Sequence, residues 1–479
     1  MKLDGFLEVE KEYGLVEDEI EGFAYWTYFR CDLKWDLERL VDHCEEMYVH
    51  PKFSFVKKTK ARLGMLRYAI CNSRIPKGEH DVLILNHERK VWREDHYECI
   101  YTDQIASQYS ESVVLERPYF QQHSRPVQTQ NLVYTDYIEL KAMTNFYFHN
   151  FILKRKSADV RKRIRERIEE PLKKICEVYQ VDYNIDNILD KMVCGYYLYH
   201  VKKSEFERII KKVKPKVIIE VVGYHFDCML INELGREYQI PTIELQHGAT
   251  GDEHIPYNYA KNTQVKQFAQ YFFAFSQFWI DAARYPLPKD HLVEVGFPYL
   301  DEKAEEIKRR ISKTKPAIIV FISQPMIGER LADIAIGLNQ LLDREEYRIV
   351  FKLHPGEYER WRERYSKLAK TDIEVVDNNR INLYELFAEA EYQIGAYGST
   401  ATFEGLEFDL RTYILREGAS SMLKLLCEKK LSVFFDSAEE LYQLISTDGN
   451  NENKYVKFWK KDALGNMKRE INAIIERQQ

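Results

Sequence analysis

Two strand-to-turn junctions in the last third of the chain carry the residue types best suited to chemistry. Lys352-Leu353-His354-Pro355-Gly356-Glu357 follows one apolar run, and Gly395-Ala396-Tyr397-Gly398-Ser399-Thr400-Ala401-Thr402-Phe403-Glu404 follows another. Both runs read as buried parallel strands, whose C-terminal ends open into a common crevice. Ser399 or Thr400 is suited to cap a helix that starts there, and the free N–H groups of its first turn would face an anion. His354 and Pro355 close the neighbouring strand, where the imidazole can donate to a phosphate oxygen. Glu404 lies one turn inside the helix, away from phosphate and within reach of ribose hydroxyls. Taken singly, His354-Pro355 can simply end a strand and Ser399 can be an ordinary N-cap; at consecutive strand ends, with Gly398 and Glu404 beside them, they favour a phosphate site.

A third loop has base chemistry. Gln246-His247-Gly248-Ala249-Thr250-Gly251-Asp252-Glu253-His254 follows the strand Thr242 to Leu245, and its glycines permit a tight turn and close approach to a ligand. An imidazole of ordinary pKa can take a proton from a hydroxyl at neutral pH. His247 is the first choice for a general base, with Asp252 or His254 as alternatives. The bland reading is that His247 only orients the loop. Ser323-Gln324-Pro325, after the run Ala317 to Ile322, is expected across the cleft from this loop, with Gln324 touching donor phosphate or sugar. No Asp-x-Asp between apolar residues and no His, Asp or Glu cluster at metal-ligand spacing is present, so no metal and no cofactor is expected. Gly-x-Gly-x-x-Gly and Walker loops are missing as well.

The segments KLHPGEYERW and GAYGSTATFEGLEF resemble the donor half of bacterial GT-B glycosyltransferases of the capsule and surface-polysaccharide type. More distantly they are similar to bacterial sialyl- and polysialyltransferases and CDP-glycerol polymerases. The resemblance is best over residues 215 to 445. It implies that His354, Ser399 and Thr400 bind nucleotide phosphate and that Glu404 holds the sugar of the nucleotide. Gly-Ser-Thr stands where the sialyltransferases have a Ser-Ser pair, which leaves CMP, CDP and UDP all open as the donor nucleotide. Gln-His-Gly loops also occur in the group and imply that His247 belongs to the active site.

Composition bounds the answer from the other side. With 479 residues, 45% of them apolar and 13% aromatic, the chain has material for two or three packed domains. A net charge of −6 argues against general nucleic-acid binding. Eight cysteines without C-x-x-C or C-x-H spacing fit a reducing cytosol better than a disulfide framework. The N-terminus lacks a signal-peptide core, and no run approaches the roughly 18 apolar residues of a membrane span. A cytoplasmic location is expected, at most with peripheral contact at the inner face of the membrane.

The elements that must position these residues follow from periodicity. A helix is expected over Asp36 to Met47, and strands at Val82 to Leu85, Tyr97 to Tyr101 and Val113 to Leu115. If those strands are parallel, His87, Asp103 and Arg117 line one edge; part of the segment reads equally as an antiparallel hairpin. Residues 137 to 212 read as a charged helical insert interrupted by Pro171. Lys154 to Lys174 holds ten basic and four acidic residues, which is either a solvated face laced with ion pairs or a contact for an anionic acceptor or lipid. Strand and helix alternate from Lys216 onward, through strands at 217 to 222, 242 to 245, 271 to 275, 292 to 295 and 317 to 322, then those ending at His354, Val376 and Gly395. The aromatic and basic stretch Lys454 to Lys461 reads as interface packing, with membrane contact as the alternative.

The expected architecture is therefore α/β of GT-B type: two Rossmann-like doubly wound domains facing a cleft, with a helical insert in the N-terminal half. The expected boundaries are 1–312 for the acceptor side, 313–450 for the nucleotide-sugar side and 451–479 for a helix packing back on the first domain. The expected activity is metal-independent transfer of a sugar from a CMP-, CDP- or UDP-linked donor to a glycan or lipid-linked glycan acceptor, entering between the His247 loop and the insert. A nucleotide-sugar 2-epimerase and a non-catalytic scaffold of a polysaccharide assembly complex are the alternatives.

Overall fold

The computed structural model describes residues 2–42, 63–70, 74–118, 122–378, 380–447 and 458–478. The second half of the expected helix at 36–47, Cys44, Cys71 and residues 454–457 lie outside these. In chain order the strands of the first half are β1 (His80–Leu85), β2 (Lys90–Arg93), β3 (His96–Cys99), β4 (Ser112–Glu116), β5 (Leu132–Tyr134), β6 (Pro215–Val221), β7 (Thr242–Leu245), β8 (Tyr271–Ala274) and β9 (Leu292–Glu294). Those of the second are β10 (Ala317–Ile322), β11 (Tyr347–Lys352), β12 (Glu374–Val376), β13 (Ala390–Gly395), β14 (Arg411–Leu415) and β15 (Val433–Phe435).

Two parallel sheets result, ordered β5-β4-β1-β6-β7-β8-β9 and β12-β11-β10-β13-β14-β15. Both place the first strand of the half in the middle and reverse direction beside it, as doubly wound nucleotide-binding sheets do. Runs such as Ile318 to Ile322 and Val217 to Ile219 are buried throughout because helices cover both sheet faces. The expected strand at Tyr97 is β3, which pairs antiparallel with β2 in a separate hairpin. His87 and Arg117 do follow parallel strands, whereas Asp103 follows the hairpin and accepts the Cys99 N–H at 2.7 Å.

The insert is three helices, Asp136–Tyr147, Lys154–Tyr179 and Ile185–Val213. Pro171 sits inside the second without ending it. The basic run on that helix is largely spent on ion pairs: Arg161 with Asp186 and Asp190, Arg163 with Glu21, Arg165 with Asp186 and Arg167 with Asp18. The helix Ala463–Glu476 packs on β6 and on the short helix Asp103–Ala106 of the first half. Just before it, Phe458 and Trp459 are buried in an aromatic cluster with Phe275, Phe278, Trp279 and Phe403, which joins the two halves, and the Trp459 indole donates to the Phe403 carbonyl at 3.0 Å.

Candidate active site

The reversal points of the two sheets lie between β1 and β6 and between β10 and β13, where loops of adjacent strands part and leave room for a ligand. On the first sheet the loop after β6 begins Val222-Gly223-Tyr224. A Cβ on Gly223 would fall 2.2 Å from Glu244 Oε2, so only glycine is accommodated, and its N–H donates to Glu244 Oε1 at 2.9 Å. After β7, Gln246 clamps the Gln-His-Gly loop from both ends: its Nε2 donates to the Gly248 carbonyl and its Oε1 accepts the Phe275 N–H, each at 2.7 Å. The Tyr101 hydroxyl holds the His247 carbonyl at 2.5 Å and itself accepts from Arg89 at 3.1 Å.

The His247 ring is set between two phenols. Its Nε2 lies 3.2 Å from the Tyr224 hydroxyl and its Nδ1 3.4 Å from that of Tyr257. Tyr257 donates its own proton to Glu244 Oε1 at 2.6 Å, so at the Nδ1 contact the ring must be the donor. The proton therefore sits on Nδ1 and leaves Nε2 as the basic nitrogen. Burial takes the His247 pKa down to about 3, with the neighbouring His87 and His254 adding to the effect. His254 and His87 are each lowered to about 4, again chiefly by burial. The site thus holds three neutral imidazoles at working pH. His254 packs edge-on against Tyr224 and Tyr257, and Asp252 is half-buried in the same loop.

Beneath the relay, Glu244 and Glu220 are paired in register on β7 and β6, both without exposed surface. One oxygen of each is bonded, Glu220 Oε1 by Asn232 at 2.8 Å, while Oε2 of each has no partner among the described residues. Burial, and for Glu244 the adjacent Glu220, pushes their pKa values to about 8 for Glu244 and about 7 for Glu220. Two carboxyls so placed share a titration, and Glu244 is largely uncharged at neutral pH.

On the second sheet, the His354 N–H and the Gly356 N–H are both engaged: the first donates to Glu357 Oε2 at 2.8 Å, the second to His354 Nδ1 at 3.1 Å. His354 therefore carries its proton on Nε2, on an exposed ring. Glu357, buried, also accepts the Ser323 hydroxyl at 3.0 Å and the Tyr365 hydroxyl, and so ties the β10 and β11 loops together. Ser323 is turned inward by this bond, while Gln324 is half-buried beside it. After β13 the chain turns through positive φ at Tyr397 (67°) and Gly398 (133°), and a Cβ on Gly398 would fall 2.8 Å from Ser420 Oγ. Ser399 opens the short helix Thr400–Gly405 without a side-chain capping bond.

Two contacts bring these edges face to face. Met422 lies between the loops, 2.6 Å by its Cγ from a Cβ placed on Gly251 and 4.0 Å by its Cε from one on Gly398. Met422, from the segment after β14, is thus what the Gln-His-Gly loop touches. Glu404 is buried, with its pKa raised by that burial and opposed by the charge of Arg89 from the first half. The sequence singled out His247, His254, Asp252, His354 and the Gly398 turn, but not Tyr224, Tyr257, Glu244 or Glu357. A glutamate inside each of the apolar runs Val217 to Val222 and Thr242 to Leu245 was the available signal.

Among the described residues no group of three or more His, Cys, Asp or Glu side chains could hold a metal ion. A cavity of about 940 Å³ lies off the cleft, between the β2–β3 hairpin and Asp462 to Leu464. No helix among the described residues is long and apolar enough to cross a membrane.

No family model matches this sequence. No curated protein matches it either. Among solved structures, a UDP-GlcNAc 2-epimerase of Neisseria meningitidis bound to UDP-GlcNAc is 10% identical over 84% of this chain and 100% of its own, with a TM-score of 0.47. A putative UDP-N-acetylglucosamine 2-epimerase of Listeria monocytogenes is 10% identical over 84% of this chain and 98% of its own, at 0.47. MurG of Acinetobacter baumannii is 11% identical over 83% of this chain and 100% of its own, at 0.43. At such identities and scores the chemistry has to be argued from the residues themselves.

Proposed function

We propose that the chain is a glycosyltransferase that moves a sugar from a nucleotide-linked donor to a glycan or lipid-linked glycan hydroxyl without a metal ion. The observation that carries this reading is His247: a neutral imidazole with a fixed tautomer in the loop after β7, a loop whose Gly251 packs on Met422 beside the Gly398 turn of the other sheet. In this reading the acceptor hydroxyl displaces Tyr224 at Nε2, gives its proton there and attacks the anomeric carbon. The bond from that carbon to the phosphate oxygen breaks, and the nucleotide leaves with the electron pair. His354 Nε2–H and the backbone N–H groups at Ser399 and Thr400 take up the developing charge, the work a metal does elsewhere. With His247 as the base, attack from the side opposite the departing phosphate inverts the product. Imidazolium is costly in so buried a site, and the Tyr257–Glu244 arm offsets that cost when Glu244 is ionised.

A nucleotide-sugar 2-epimerase is the second reading. What favours it is the buried store of protons at Glu220 and Glu244, since epimerisation must take and return a proton at carbon. Incubation with UDP-N-acetylglucosamine alone, followed by NMR, separates the two: a 2-epimer formed without acceptor establishes the epimerase, while sugar transfer that requires an acceptor establishes the transferase. A scaffold would bind no nucleotide at all.

A further inference from the structure

The helices Asp136–Tyr147 and Lys154–Tyr179 are joined by a wide π-helical turn, Phe148–Ile152. Tyr147, Phe148, Phe151 and Ile152 leave 46–68% of their surfaces exposed. Four large apolar side chains within six residues form a patch, which singly exposed hydrophobics do not. The turn is well anchored from below. The His149 ring stacks on Tyr197 at 4.6 Å and its Nδ1 meets the Asn145 carbonyl at 2.9 Å, while the Ser157 hydroxyl donates to Asn150 at 3.2 Å. Its polar groups are therefore turned into the protein and its rings outward, with Tyr147 and Phe151 stacked at 5.8 Å.

Charge supplies the second observation. Lys154 and Lys156, next to the tip, are exposed and make no ion pair among the described residues, whereas Arg161, Arg163, Arg165 and Arg167 farther along the helix are all paired. Unpaired cations therefore stand directly beside the apolar patch. Position supplies the third. The helix Ile185–Val213 enters β6 at the N-terminal edge of the sheet, Lys202 pairs with Asp227 just past the C-terminal edge of β6, and Tyr197 lies farther along the same axis. The tip resting on Tyr197 therefore overhangs the edge on which His247 sits.

We propose that the tip from Tyr147 to Lys156 is a membrane-docking site, which seats Phe148, Phe151 and Ile152 in the interfacial layer of an anionic bilayer and places Lys154 and Lys156 on its headgroups. Aromatic rings at headgroup depth together with adjacent lysines are the combination that such a layer retains. The proposal stands apart from the catalytic reading, because it needs no nucleotide and no turnover.

The test is co-sedimentation of the full chain with phosphatidylcholine vesicles, with and without phosphatidylglycerol. Binding is expected only with the anionic lipid and should weaken as salt rises. F148S/F151S/I152S should lower partitioning roughly a hundredfold, and K154Q/K156Q roughly tenfold or more at low salt. Both variants are surface changes, and thermal unfolding confirms that each is folded. A wild-type chain that stays in the supernatant overturns the proposal, as does unchanged binding by both variants. So does a dimer in sedimentation that the triple variant dissolves, since the patch would then belong to a second copy.

Discussion

Glu220 and Glu244 stand directly opposite each other on β6 and β7, both fully buried, and Gly223 closes over them. Asn232, Cys228 and the charge of Arg117 face Glu220; Tyr257, the Gly223 N–H and Tyr285 face Glu244. Their folded pKa values, about 7 and about 8, lie above the ordinary 4.5 of glutamate. The stability they contribute is thus fully present below about pH 4.5 and is lost as pH rises through 7 to 8. Between pH 6 and 9 the unfolding free energy should fall by on the order of 4 kcal/mol. Glu244→Gln should flatten that decline in denaturant titrations; an unaltered slope would place the titration elsewhere.

His247→Ala should lower kcat by roughly 10²–10⁴-fold, the usual contribution of a general base, while nucleotide affinity stays within about twofold. Because ionised Glu244 supports the imidazolium, kcat should rise with pH near 8; Tyr257→Phe cuts the link between Nδ1 and Glu244 and should remove that rise while leaving folding intact. A full pH profile of both variants decides whether His247 works as the base or only holds the loop.

Gly398→Ala forces a Cβ into Ser420 Oγ at a φ of 133°, which side chains rarely adopt. Donor KM should rise at least about tenfold with the fold retained. His354→Ala should act in the same direction by removing the Nε2–H donor. Calorimetry with the donor nucleotide checks both.

Arg161, Arg163 and Arg165 replaced together by glutamine should change acceptor kinetics and thermal stability little, because their partners are exposed carboxylates. A salt-dependent rise in acceptor KM would instead give this helix face a binding role.

The positions of the central strands were legible wherever apolar runs are uninterrupted, as at Ala317 to Ile322, because burial on both faces leaves no other composition. Tyr97 to Tyr101 was ambiguous for a physical reason: five residues of mixed polarity fit a hairpin as well as a central strand. His247, His354 and the Gly398 turn could be found because each lies in a short local pattern. Tyr224 and Tyr257 could not, since they converge on one ring from separate loops, and Glu357 acts by tying Ser323 to His354 across a gap of 31 residues that only the sheet order closes. Pro171 shows the opposite error, a helix breaker overridden by packing of its helix against neighbours on both sides.

Titration of CMP, CDP, UDP and GDP against the wild type, His354→Ala and His247→Ala, read by thermal unfolding, tests the central claim most directly. One nucleotide at a hundred times its Kd should stabilise the wild type and His247→Ala by about 2.7 kcal/mol and His354→Ala by clearly less. If none of the four shifts the wild type, or if His354→Ala responds as the wild type does, the nucleotide site is not where the second sheet opens and the transferase reading is wrong.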